Sequence, residues 1–197
     1  MKTNYIEKNE KFILTWLKDN LDEQRIMHSL GTAQCAKELA KKFGLDEEKA
    51  YLAGLLHDCA KCFKKEDMIK IGKDLNLEDS EFSNFKVLHA PVSAYIAKKE
   101  LGVEDAEILS AIRWHTLGKM CMSTFEKIIF LADKIEPSTR DLEFRDKVLM
   151  FMQSEQNKED GLNKALLICY KETIKSLIRR DLKICQTTID IYNSMIG

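Results

Sequence analysis

Four histidines occur in the chain, His28, His57, His89 and His115, and two aspartates, Asp58 and Asp133, stand among apolar neighbours. The stretch LAGLLHDCAKC, residues 52–62, carries an apolar helical run straight into His57 and Asp58, with Lys61 close behind. His115 shares a helix face with Ile108, Ala111 and Ile112, and Asp133 continues from Ile129 in an otherwise apolar helix. His28 stands just before an apolar series that opens at Leu30. A single histidine in such a position reads as a hydrogen-bonded core residue. All four, with two aspartates in apolar surroundings, read as a ligand set. Imidazole nitrogen and carboxylate oxygen suit Fe, Mn, Zn or Co, and the lack of a thiolate set argues against a structural cysteine-zinc site. An uncompensated buried Asp58 or Asp133 would be costly, and a divalent cation removes that cost. A carboxylate can also bridge two metals, which imidazole cannot do. Cys59 and Cys62 form a C-x-x-C with no second pair at zinc-ribbon spacing, so they are read as packing residues beside the site.

The elements that must carry these residues are helices. Two prolines and eight glycines in 197 residues are few, and Leu, Ile, Lys, Glu and Ala dominate, a helical composition. Helical periodicity predicts an opening helix over about Glu7–Lys18 with Phe12, Ile13 and Trp16 as its apolar stripe. A second helix, about Glu23–Phe43, should bury Leu30, Ala33, Ala36, Ala40 and Phe43 and stop at Gly44. Asp46 should cap a helix over Glu47–Asp58. Pro91 suits the first turn of a helix ending near Leu101-Gly102. A further helix covers about Asp105–His115, and Ser123-Thr-Phe-Glu126 is a capping box for the helix that holds Asp133 and ends at Glu136-Pro137. Two last helices fill about Asn163–Arg179 and Gln186–Met195. No strand-like alternation, repeat or low-complexity linker is visible. The expected fold is all-α, a single-domain bundle over 1–197.

Thirty-one basic and 32 acidic residues give a net charge of −1, which forecasts no broad grip on duplex DNA and no nucleic-acid partner. The longest apolar runs, LAGLL and IIFLA, fall far below the roughly 18–20 residues of a membrane span. The opening MKTNYIEKNEKF has no apolar signal-peptide core. A cytoplasmic protein with its six cysteines mostly reduced is expected.

The order His28, His57-Asp58, His89, His115, Asp133 resembles the HD-domain metal-dependent phosphohydrolases, in the variant with six ligands for two metals. The resemblance extends to R-x-x-H-S (Arg25, His28, Ser29), H-D-x-x-K (His57, Asp58, Lys61), H-A-P-V (His89–Val92), W-H-T (Trp114–Thr116) and A-D-K-I-E-P (Ala132–Pro137). Together these are similar to the YqeK family of bacterial symmetrical diadenosine-tetraphosphate hydrolases, over about residues 20–197. The resemblance implies a metal-site core over about 23–140, with C-terminal helices over about 160–197 bordering a nucleotide pocket. It implies that His28, His57, Asp58 and Asp133 hold one metal and that His89 and His115 hold a second, with Asp58 bridging. Iron is the expected metal, with manganese or cobalt as alternatives. Asp58 and Lys61 would carry the catalytic step, and Arg25, Lys61 and Arg140 would meet phosphate oxygens. Substrate contacts are further implied for Asp58, Cys59, Ala60, His89, His115, Thr116, Asp133 and Lys134. A last set is implied for Lys183, Ile184, Cys185, Gln186, Thr187 and Thr188. Two departures from the family pattern stand out: EPSTRDLE displaces Arg140 by one residue, and the 183–188 segment lacks the family's prolines.

The implied reaction is metal-assisted hydrolysis of a phosphoanhydride. Water attacks the β-phosphorus of Ap4A in line, and ADP, already a good leaving group, departs. The expected partner is a small nucleotide, with ADP or GDP as product or inhibitor, and a homodimer remains an option. Two rivals stand beside this reading. One is an HD hydrolase of a cyclic dinucleotide, a dNTP or (p)ppGpp. The other is a nucleotide sensor that keeps the metals without turnover. Assays on Ap4A, cyclic dinucleotides and ppGpp with product identification separate them.

Overall fold

A computed structural model describes residues 5, 6, 8–77, 82 and 85–196. Among them are ten helices: α1 (Glu10–Asn20), α2 (Glu23–Phe43), α3 (Glu47–Leu56), α4 (Lys65–Asp74), α5 (Phe85–Lys99), α6 (Ala106–Trp114), α7 (Thr124–Ile135), α8 (Leu142–Gln153), α9 (Lys158–Arg179) and α10 (Gln186–Ile196). The described residues contain no sheet, only one isolated bridge between Ile6 and Val103. The fold is all-α, and no described helix is long and apolar enough to cross a membrane.

Local chemistry sets most of the helix starts. Asn9, Asp22, Asp46, Asp105, Asp141 and Asn157 each accept a first-turn backbone N–H, satisfying donors that a helix start leaves unpaired. Ser123 and Glu126 form the expected reciprocal capping box. Gly44 ends α2 in the left-handed region at φ 71°, where a side chain would be strained. The turn through Leu45 then lets α3 fold back along α2. Ala33, Ala36 and Ala40 on α2 meet Ala50, Ala53 and Gly54 on α3, all buried. Small side chains let the two backbones approach so closely that a Cβ on Gly54 would stand 2.8 Å from the Ala33 Cα and 2.9 Å from the Thr32 carbonyl oxygen. α7 is the most enclosed helix, with Ile128, Ile129, Phe130, Leu131 and Ala132 all buried. Its wall joins α2, α3, α6 and α9 into one core.

Several expectations need correction. Pro91 lies inside α5, not in a first turn, because the helix already runs from Phe85. Burial of Leu88, Val92 and Ile96 offsets a proline cost of about 3 kcal/mol. α3 stops at Leu56, and Cys59, Lys61 and Phe63 each donate to a carbonyl three residues back, in tight turns. In α1 the buried stripe is Ile13 and Leu17, and Phe12 is exposed; in α2 Leu30 faces solvent and Phe43 is half-buried. α4 and α8 were not anticipated, and α9 begins at Lys158, ahead of Asn163. Glu7 of the expected opening helix lies outside the described residues.

Gly54→Ala should push α3 off α2 and lower stability by about 1–3 kcal/mol, the scale of overpacking. Because α3 delivers His57 and Asp58, the same change should weaken metal retention. Thermal unfolding and metal analysis of the variant check this; an unchanged melting temperature would mean that the backbone contact is slack.

Candidate metal centre

The six histidines and aspartates converge from five helices. His28 comes from α2, His89 from α5 and Asp133 from the last turn of α7; His57 and His115 are the residues that cap the ends of α3 and α6, and Asp58 follows His57. All six are buried. Asp58 lies at the centre. Its Oδ2 faces His28 Nε2 at 3.9 Å and His57 Nε2 at 3.7 Å. Its Oδ1 faces His89 Nε2 at 3.0 Å and His115 Nε2 at 3.3 Å. Each oxygen of one carboxylate therefore serves a different histidine pair. Asp133 Oδ1 completes the first group, 3.0 Å from His28 Nε2 and 3.6 Å from His57 Nε2. Donor atoms of His28, His57 and Asp58 lie within 4.8 Å of one another, and so do those of Asp58, His89 and His115.

The hydrogen bonds behind the rings decide which nitrogen faces inward. His57 Nδ1 donates to the Gly54 carbonyl at 2.7 Å, and His115 Nδ1 to the Ile112 carbonyl at 2.7 Å. His28 Nδ1 donates to the Glu136 carboxylate at 3.0 Å. With Nδ1 carrying the proton, a neutral ring turns its Nε2 lone pair inward. The Nε2 atoms of His28 and His57 are then 3.2 Å apart, and those of His89 and His115 3.0 Å apart. Lone pairs this close, beside carboxylate oxygens, repel unless a positive charge lies among them. The donor set fits divalent metal ions.

Protonation energetics follow the same geometry. Burial alone would raise the Asp58 carboxyl, but its His57 neighbour first, and then the close contacts with the His115 and His89 rings, hold it well below the usual carboxylate range. Burial also works against the Asp133 carboxylate and is outweighed by Lys134, His28, His57 and Arg140. Burial pushes His115 down to about 3 and lowers His89, so both rings stay neutral and available as ligands. His57 moves the other way: burial opposes its charge, yet Asp58 and Asp133 raise its pKa above 6.5. The two carboxylates thus favour the protonated His57 ring, beside the Arg140 and Lys61 cations at His28 and His89.

Cations rim the cluster. Lys61 Nζ is 3.4 Å from Asp58 Oδ1 and 2.9 Å from His89 Nε2. Burial lowers its pKa, against the pull of Asp58 and Asp133. Arg25 stands 3.6 Å from Asp58 Oδ2. Arg140 reaches inward in spite of its displacement, with Nη2 2.6 Å from Asp133 Oδ1 and Nε donating to the Asp133 carbonyl at 2.7 Å. Lys134 lies 3.4 Å from Asp133 Oδ2 and 3.8 Å above the Phe130 ring. Thr116 Oγ1 is 3.1 Å from His89 Nε2 and 3.0 Å from His115 Nε2.

Beside Thr116 opens a cavity of about 370 Å³ with Phe130, Tyr170 and Val87 on its apolar side and Lys183, Cys185 and Thr188 on another. Thr187 borders a different cavity, shared with Trp114 and Pro91. Ile184 is half-buried, and Gln186 is exposed, its amide donating to Asp190. Cys59 and Ala60 are fully buried, and the Cys59 thiol points at the Ser93 carbonyl, so their side chains do not face the cleft. Cys62, in contrast, is exposed.

In the sequence, Glu136 marks only a helix end. It is fully buried, and its carboxylate accepts from His28, from the Ser138 and Thr139 amides and from the Thr139 hydroxyl. A Cβ on Gly31 would collide with its Oε2 at 2.3 Å. An acidic residue directly after an apolar helix, followed by Pro-Ser-Thr, was the available signal.

The HD-domain family model matches residues 25–138, and the chain belongs to that family. At finer resolution it is similar to proteins called bis(5'-nucleosyl)-tetraphosphatase, symmetrical. One, from Halalkalibacterium halodurans, is 40% identical over 93% of this chain and 95% of its own length. Another, from Bacillus subtilis, is 35% identical over 96% of this chain and 98% of its own. A crystal structure from Clostridium acetobutylicum, described as a predicted HD superfamily hydrolase involved in NAD metabolism, superposes with a TM-score of 0.87 at 37% identity. It covers 96% of this chain and 97% of that one.

Because the folded pKa of His57 lies above 6.5, metal binding at pH 6.5 must expel its proton. Affinity should therefore fall as pH drops and level off once pH exceeds that pKa. Calorimetric titration with Mn²⁺ at pH 6.5 in buffers of different ionisation enthalpy should report net proton release. No buffer dependence would place that proton elsewhere.

Proposed function

We propose that the chain hydrolyses diadenosine tetraphosphate symmetrically, giving two ADP. The observation that carries this reading is one buried carboxylate, Asp58, with a histidine pair on each oxygen, rimmed by Lys61, Arg25 and Arg140. Similarity over nearly the whole chain to proteins named for that activity supports it. In this reading His28, His57, Asp58 and Asp133 hold one ion, and His89 and His115 hold a second with Asp58 shared. Iron is the first candidate on family resemblance, with manganese or cobalt as substitutes. Bound there, the ions supply charge that activates water and neutralises phosphate oxygens.

The chain's own groups do the rest. Lys61 offers ammonium protons beside Asp58, where a phosphate oxygen of the scissile bond would lie. Arg25 and Arg140 hold further oxygens, and the Thr116 hydroxyl orients the one nearest His115. The cavity of Phe130 and Tyr170 takes the nucleoside, with Lys183, Cys185 and Thr188 at its border. Expulsion of ADP needs little help from a protein acid. The chain reads as one domain, its metal-site core at about 23–140 and its C-terminal helices, about 160–197, forming the nucleotide wall. Six unpaired cysteines accord with a cytoplasmic setting.

Hydrolysis in ¹⁸O water tests the reading. ADP should be the only nucleotide product, with one heavy oxygen on the terminal phosphate of one of the two molecules. Equal AMP and ATP, or no Ap4A turnover with iron, manganese or cobalt supplied, would overturn it.

A further inference from the structure

Symmetric cleavage constrains where the substrate must lie. The scissile bond of diadenosine tetraphosphate is at its midpoint, so a centre that cuts there stands between two identical nucleoside diphosphate halves. The cavity beside Thr116 can hold only one of them.

A second groove of about 370 Å³ borders the same centre, reaching it through Asp133 and Arg140. Thr173 and Leu177 of α9, with Arg180 just past its end, line both spaces and so stand between them. Lys134 belongs to the groove, and its ammonium also lies over Phe130, a wall of the first cavity. The groove therefore has a cationic edge toward the metals, made by Lys134 and Arg140, with Arg180 on the ridge it shares with the first cavity. Its other side is apolar, with Phe144 and Cys169 beside Leu177. The one further carboxylate in it, Glu172, is paired with Lys175 at 3.0 Å, which offsets its charge. Phosphate-binding charge next to the reaction centre with an apolar wall beyond it is the chemistry of a nucleoside diphosphate seat.

We propose that this groove seats the second nucleoside diphosphate half of the substrate. The tetraphosphate then crosses the metal centre from one seat to the other, around the α9 ridge. This rests on the symmetric-hydrolase reading above, and it holds both halves of the substrate on the protein. A seat on each side of the centre also favours a substrate with a nucleoside at both ends over one that ends in bare phosphate.

Ser176 lines the groove, is not part of the first cavity and is half-buried on α9. Ser176→Trp should fill the groove without touching the metals. Calorimetry on the Mn²⁺-loaded protein would use the non-hydrolysable analogue with a methylene bridge at the centre of the tetraphosphate, and ADP as the single-half probe. The wild-type protein should bind the analogue more tightly than ADP. Ser176→Trp should weaken the analogue by about tenfold or more, the scale of a lost pocket contact, and leave the tighter ADP site, in the enclosed first cavity, unchanged. Phe144→Ala, which removes the apolar wall instead of crowding it, should act in the same sense. An analogue no tighter than ADP in the wild type, unchanged analogue affinity in both variants, or an equal fall for both ligands would overturn the second seat. Formation of ADP from Ap4A by the wild-type protein is read separately. Its failure sinks the parent reading, whereas wild-type turnover with unaffected variants sinks only the seat.

Discussion

A single buried carboxylate, Asp58, faces two pairs of histidines, one through each oxygen. Burying it uncompensated would cost several kcal/mol or more, so the surrounding helices must deliver positive charge, or ligands that hold it, to within about 4 Å. That demand explains the close apposition of α2 and α3. His28 and His57 can share Asp58 Oδ2 only if their helices nearly touch, and the alanines of both helices, with Gly54, permit it. It also accounts for the apolar packing of α7, which fixes Asp133 against His28 Nε2 and His57 Nε2 in the first group.

Two helix ends contribute as well. α3 and α6 both terminate on a histidine, and each ring donates Nδ1–H to a carbonyl three residues back, at Gly54 and Ile112. Those are carbonyls that a helix end leaves without an intrahelical partner. One bond thus caps the helix, fixes the ring's tautomer and aims Nε2 at the centre. The carboxyl ends of the helices also carry partial negative charge, which favours a cation between them. Glu136 does the same for His28 from outside the helices, held by the Ser138 and Thr139 amides.

The fold class and the six converging residues were legible because they depend on local rules. Caps at Asp46, Asp105 and Ser123 mark helix starts whatever the tertiary context. Ligands concentrated at helix ends after apolar runs leave a trace in spacing. The misses have a common cause in long-range packing. Pro91 reads as a helix start until Leu88 and Ile96 are seen to hold the helix on both sides of it. Leu30 belongs to the apolar series of α2 but points away from α3. Glu136 was hidden because its partner, His28, lies more than a hundred residues away.

Metal content per chain in Asp58→Ala, measured beside the wild type after anaerobic loading with iron and with its helicity verified by circular dichroism, tests the shared carboxylate most directly. If Asp58 serves both histidine pairs, the wild type holds two ions and the folded variant close to none. A variant that keeps two ions, or loses only one, would contradict it.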